Sequence, residues 1–166
     1  MNKNADVKNI IFCGIGGQGV LTASEICALA LMYEGYHVKK SEVKGMAQRG
    51  GSVQSFVRFG SRVYSPLISR GKADFLVGFD ENESRLWSVY LASKGIDLTK
   101  ALIYGGREIS SQRFLNTFIL GCLSAYLNVN EENWFKSMAF VLKNKALDEN
   151  KAVFMSGRNF VKGDNV

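Results

Sequence analysis

Apolar and polar positions change their spacing several times along the chain, and each change marks an element. Asn9, Ile10, Ile11, Phe12 and Cys13 form a short β-branched and aromatic run closed by Gly14, which predicts a buried strand. Residues 20–34 carry apolar side chains on most faces, the pattern of a helix packed between a sheet and other elements. Gly35 stands where a helix C-cap glycine belongs. Residues 36–43 predict a second strand, completing a β-loop-α-β unit whose strands run parallel. Residues 52–59 alternate polar and apolar, as a strand does with one buried and one wet face. Gly60 and Ser61 turn the chain into residues 62–65, the expected antiparallel hairpin partner, which Pro66 ends. Residues 74–79 read as a further buried strand, after which Asp80 or a neighbour caps a helix expected to reach about Ser93. Leu102, Ile103 and Tyr104 predict a short last strand.

The final third is helical. Phe114, Leu115, Phe118, Ile119, Cys122, Leu123 and Tyr126 follow i, i+3/i+4 spacing. Asn130 with Glu131 and Glu132 opens the next helix, with Trp134, Phe135, Met138, Val141 and Leu142 on its apolar face. A weaker helix is expected over residues 148–155, and residues 157–166 as a frayed tail. No linker or repeat interrupts residues 1–166, which are read as a single domain. The expected architecture is a three-layer α/β/α fold. Its mixed sheet has a parallel β-loop-α-β start and an antiparallel hairpin in the middle.

Gly14, Gly16 and Gly19 form a G-x-G-x-x-G between the first strand and first helix, with Ile15, Gly17 and Gln18 between them. Glycines let backbone approach a ligand closely, and a helix N-terminus offers unpaired N–H groups to a phosphate. The alternative is a tight turn whose glycines only let helix pack on strand. Glu42 stands about where a dinucleotide fold carries its ribose-binding acid, ~20 residues beyond the glycines. Against that reading, the chain continues into a second glycine-rich segment and a hairpin rather than a second crossover helix. In this segment Gln48 and Arg49 precede Gly50 and Gly51. Arg49 suits a phosphate or carboxylate, or is simply a solvated loop arginine, and the two glycines could be only a bulge.

Composition narrows the field. A net charge of +6 suits phosphorylated ligands or an acidic partner, but the 21 Lys and Arg are scattered and no aromatic-basic motif accompanies them, so no nucleic acid is expected. Cys13, Cys27 and Cys122 lie far apart in apolar contexts without a C-x-x-C pair, so neither metal nor iron–sulfur ligand sets are expected. His37, the sole histidine, has no nucleophile at a telling spacing and is read as structural. No apolar run is long enough to span a membrane, and the N-terminus lacks a signal-peptide apolar region, so a cytoplasmic protein is expected.

Two stretches, Gly14-Ile-Gly-Gly-Gln-Gly-Val-Leu21 and Ser41-Glu-Val-Lys-Gly-Met-Ala-Gln-Arg-Gly-Gly-Ser-Val53, closely resemble the gamma-type subunits of 2-oxoacid:ferredoxin oxidoreductases. The resemblance continues through residues 57–60, 64–68 and 73–74 and recurs at Asn116, Leu120 and Gly121. It implies an anaerobic multisubunit enzyme that decarboxylates a 2-oxoacid on thiamine diphosphate. Electrons would pass through iron–sulfur clusters to ferredoxin, and an acyl-coenzyme A would be released. The thiamine site and clusters would lie on the alpha, beta and ferredoxin-like partner subunits, with no catalytic residue on this chain. The loop from Gly14 to Gly19 would hold coenzyme A phosphates, with Gln48, Arg49, Gly50 and Gly51 near the catalytic subunits. The other readings are a stand-alone NAD(P)- or nucleotide-binding module and a purely structural assembly subunit. Two departures stand out: residues 95–111 are shorter than in such chains, and Asp80-Glu81 replaces a common Glu-Pro pair.

Overall fold

β1 (Lys8–Ile15) lies at the middle of the molecule because residues 10–13 are apolar without alternation. Ile10, Ile11, Phe12 and Cys13 are all fully buried, so this strand is covered on both faces. The computed structural model describes residues 6–44, 50–102, 109 and 111–163. With β2 (His37–Lys44), β3 (Ser52–Gly60), β4 (Ala73–Gly78) and β5 (Leu91–Asp97) it forms a five-stranded sheet of order β2-β3-β1-β4-β5. β3 is antiparallel to both β1 and β2, while β4 is parallel to β1 and to β5.

The mixed α/β sheet is as expected, but its neighbours are not. β1 and β2 do run in the same direction, with β3 inserted between them. The antiparallel partners of β3 are β2 and β1, and residues 62–65 form no strand. Arg58 explains the latter: Nη1 donates to the carbonyls of Ser65 (2.8 Å) and Leu67 (2.9 Å), holding that segment across the sheet as an extended strap.

α1 (Val20–Tyr33) covers one face and ends in a Schellman motif. Tyr36 N–H reaches the Leu31 carbonyl and Gly35 N–H the Met32 carbonyl, with Gly35 at φ 94°. After β4, Asp80 caps α2 (Glu81–Trp87) through Oδ1, which accepts from the Asn82 and Glu83 N–H groups. This helix stops well before Ser93. Ser88 Oγ donates back to the Arg85 carbonyl at 2.8 Å, a 3-10 turn (Ser88–Tyr90) follows, and the chain enters β5. β5 therefore forms one edge of the sheet and takes in the start of the short 95–111 region. Leu102 is helical rather than the start of a strand, and Ile103 and Tyr104 lie outside the described residues.

α3 (Leu115–Ser124), α4 (Glu131–Leu142, capped by Asn130) and α5 (Leu147–Lys162) complete the α1 side. α5 runs seven residues past Met155, through the expected tail, because Gly157 is buried against the backbone of α3 at Phe118. Ile10, Phe12, Val57 and Val77 join these helices in the larger core. Ile11, Cys13, Phe56, Ile68 and Leu76 form a smaller core on the other face, under the strap and α2. No helix among the described residues is long and apolar enough to cross a membrane.

Candidate functional site

The loop after β1 is held by its own side chain. Ile15 N–H donates to Gln18 Oε1 at 2.7 Å, and Gln18 N–H donates to the Ile15 carbonyl at 3.1 Å. Its glycines are present for different reasons. A Cβ on Gly14 would stand 2.7 Å from Gln18 Oε1 and 2.9 Å from both Phe79 Cβ and Val20 Cγ2, so Gly14 lets helix and loop pack on the strand. Gly17 (φ 104°) and Gly19 (φ 82°) adopt left-handed backbone, and a Cβ on Gly19 would collide with Asn116. Gly16 is under no such demand. Its φ lies outside the left-handed region, and a Cβ there would have ordinary contacts at 3.6 Å with Gly50 N and Gly51 O.

The two glycine segments meet at the carboxyl end of β1, as loops at one end of an α/β sheet do. Gly16 N–H donates to the Gly51 carbonyl at 2.9 Å. Beside this contact is an open cavity of about 300 Å³ lined by Ile15, Gly16, Gly17, Gly19, the first turn of α1 (Val20, Leu21, Thr22) and Val53. That first turn begins at Gly19, which has no side chain to cap it, and carries no acidic residue. Its free N–H groups and the positive end of the helix are the features that draw an anion. Gln48 and Arg49 fall outside the described residues.

Glu42 is not brought to the loop. The insertion of β3 moves β2 two strand spacings from β1, about 10 Å. Lys40, bound to Glu25 at 2.5 Å, also binds Glu42 at 2.7 Å. His37 Nδ1 accepts the Val63 N–H at 2.8 Å, a strut for the strap. Among the cysteines, burial pushes Cys122 up to about 12. Burial also raises Cys13 to about 12, eased by Ser84 and reinforced by the Glu83, Asp97 and Asp80 carboxylates. Cys27 is raised by burial too, with Lys40 opposing. None of the three is a thiolate at neutral pH.

Residues 9–104 match the family described as pyruvate ferredoxin/flavodoxin oxidoreductase, a span holding β2 to β5, all of β1 but Lys8, and both glycine segments. The chain belongs to that family. Indolepyruvate oxidoreductase subunit IorB of Thermococcus kodakarensis is 43% identical over 93 residues, 56% of this chain and 46% of that protein. The chain thus spans about half the length of the curated relatives it matches. A keto/oxoacid ferredoxin oxidoreductase gamma subunit from Geobacter sulfurreducens shares the fold at TM-score 0.71 and 22% identity, covering 90% of this chain and 95% of that one. So does 2-oxoglutarate:ferredoxin oxidoreductase from Magnetococcus marinus, solved with 2-oxoglutarate, coenzyme A and succinyl-CoA bound. It aligns at TM-score 0.75 and 18% identity, over 95% of this chain and 31% of that chain.

The matched span holds both glycine segments, and side chains from other elements support them. Ser52 Oγ donates to Glu83 Oε2 at 2.6 Å and accepts from Gln54 Nε2, tying the entrance of β3 to α2. Asn116 stands against Gly19 from the start of α3. Ser52 and Asn116 had a sequence signal, through the resemblance; Gln54 and Glu83 had none. The Ser52–Glu83 bond joins residues too far apart in sequence to be paired by pattern.

Proposed function

We propose that this chain is the gamma-type subunit of a 2-oxoacid:ferredoxin oxidoreductase, and that Gly14, Gly16, Gly17, Gln18 and Gly19, with Gly50 and Gly51, cradle the phosphates of coenzyme A. Gln48 and Arg49 lie in the same segment as Gly50 and are proposed to face the ligand or the catalytic subunits. Gly16 carries the reading. It is the glycine that neither φ nor packing demands, and it lines the cavity at the uncapped start of α1. A glycine kept where a side chain would fit suits close approach of a ligand.

The chain's own contribution is binding and orientation. The backbone N–H groups at the start of α1 would take the phosphate, and the cavity walls of Ile15, Leu21 and Val53 would exclude water on one side. Coenzyme A, when bound, supplies the thiol that accepts the acyl group. A cavity of about 300 Å³ holds a phosphate group and its neighbours, so the rest of the ligand would extend outward, toward the alpha, beta and ferredoxin-like subunits. Thiamine diphosphate and iron–sulfur clusters belong to those partners in this reading, with ferredoxin reached indirectly.

Calorimetric titration of coenzyme A into the assembled complex tests the site. Gly16→Val fills the cavity without straining the backbone, and affinity is expected to fall at least roughly tenfold, as for loss of about 1.4 kcal/mol. Unchanged affinity with weakened assembly would instead support a loop that only shapes an interface.

A further inference from the structure

The cavity beside Gly16 has two unlike halves. One is the backbone of Gly16, Gly17 and Gly19 with the start of α1, whose N–H groups draw an anion. The other is aliphatic: Ile15, Leu21 and Val53 are half-buried and line the same space of about 300 Å³. Folding does not account for this wall. Ile15 and Leu21 join neither apolar core, whereas Val53 packs against the larger one.

Val53 brings the two halves close together. A Cβ on Gly16 would stand 3.9 Å from Val53 Cγ2, so a group held against the Gly16 backbone has a methyl beside it. Among the described residues lining the cavity none is charged or aromatic, and the Thr22 hydroxyl is the one polar side-chain group. A sugar placed against this wall would leave its hydroxyls without partners, at a cost that a branched hydrocarbon avoids. Glu42, the acid that could have held a ribose, is bound to Lys40 on the edge strand. Nor is there a ring in the wall on which a base would stack.

We propose that the wall of Ile15, Leu21 and Val53 selects the branched-alkyl side of a diphosphate ester, so that the pantetheine arm of coenzyme A, and not its nucleotide, enters this cavity. The inference rests on the coenzyme A reading above and deepens it by orienting the ligand. The coenzyme's diphosphate joins a phosphorylated ribose on one side to a methylene and a dimethyl-substituted carbon on the other. That second side sets apolar carbon directly beside phosphate, as the cavity sets its aliphatic wall beside the glycine backbone. The thiol arm then starts from the wall, and the nucleotide lies outside the cavity.

The test titrates two probes into the assembled complex. One is coenzyme A; the other is adenosine 3′-phosphate 5′-diphosphate, which keeps the nucleotide and its phosphates and lacks the pantetheine arm. The weaker binder is read by displacement of the stronger. Leu21→Asn and Val53→Thr each put a polar group into the wall at similar size. Each is expected to weaken coenzyme A binding roughly tenfold and to leave the nucleotide's affinity unchanged. Leu21→Met keeps the wall apolar and should bind coenzyme A as the wild type does. Thermal scans check folding, and Val53→Thr, which keeps a β-branched residue in β3, carries the test if Leu21→Asn unfolds. Wild-type affinity for coenzyme A in the folded polar variants, or an equal loss for both probes, would overturn the orientation alone. Failure of the wild-type complex to bind coenzyme A would overturn the coenzyme A reading together with it.

Discussion

Gly16 and Gly19 belong to one loop yet should answer a methyl group in opposite ways. Alanine at Gly19 must adopt φ near 82° and displace Asn116, whereas alanine at Gly16 meets nothing closer than 3.6 Å. Gly19→Ala is therefore expected to cost about 1–2 kcal/mol from the left-handed backbone alone. Gly16→Ala should stay within about 0.5 kcal/mol. Urea denaturation of the two variants measures both. Equal losses would mean that the loop's glycines are all structural, and the case for a ligand at Gly16 would lose its footing. Sequence showed a glycine motif at this site but could not rank its members, because the ranking depends on what a Cβ would meet.

The helices of the C-terminal layer meet through a close crossing of α3 and α5. Gly121 lies on the Phe154 carbonyl and Gly157 on the Phe118 carbonyl, each so near that a Cβ would fall inside the oxygen's contact radius. Helix propensity favours alanine over glycine by about 1 kcal/mol. The opposing oxygens are backbone and cannot swing away, so overpacking decides. Gly157→Ala is expected to destabilise the protein by about 1–3 kcal/mol and to lower the melting temperature by several degrees, as a thermal scan would show. A rise in melting temperature would mean that α5 does not press on α3. This crossing also explains why α5 continues to Lys162 where polarity predicts a frayed end: packing against Phe118 outweighs the weak amphipathic signal after Met155. The limit of α2 has the reverse cause. Its Arg85–Ser88 turn and the β-prone residues after it end a helix that spacing alone extends to Ser93.

Across the whole molecule, the position of β3 separates this fold from a dinucleotide-binding one. With β3 between β1 and β2, Glu42 is carried to the edge strand and bound to Lys40. The chain is therefore expected to show no saturable binding of NAD or NADP at millimolar concentration in equilibrium dialysis. Saturable binding that Glu42→Ala abolishes would restore the dinucleotide reading. The same topology sets the two faces apart: a deep core under α1, α3, α4 and α5, and a thin layer of strap and α2.

Local sequence was enough for β1, β3, β4, α1 with its glycine cap, the Asn130 and Asp80 caps, and the two glycine segments. These are written in short-range periodicity and in residues whose backbone preferences are strong. Strand order, the extended strap held by Arg58, the fifth strand at Leu91–Asp97 and the reach of α5 were decided by tertiary structure. Each depends on contacts between distant residues, where burial and backbone pairing override local preference.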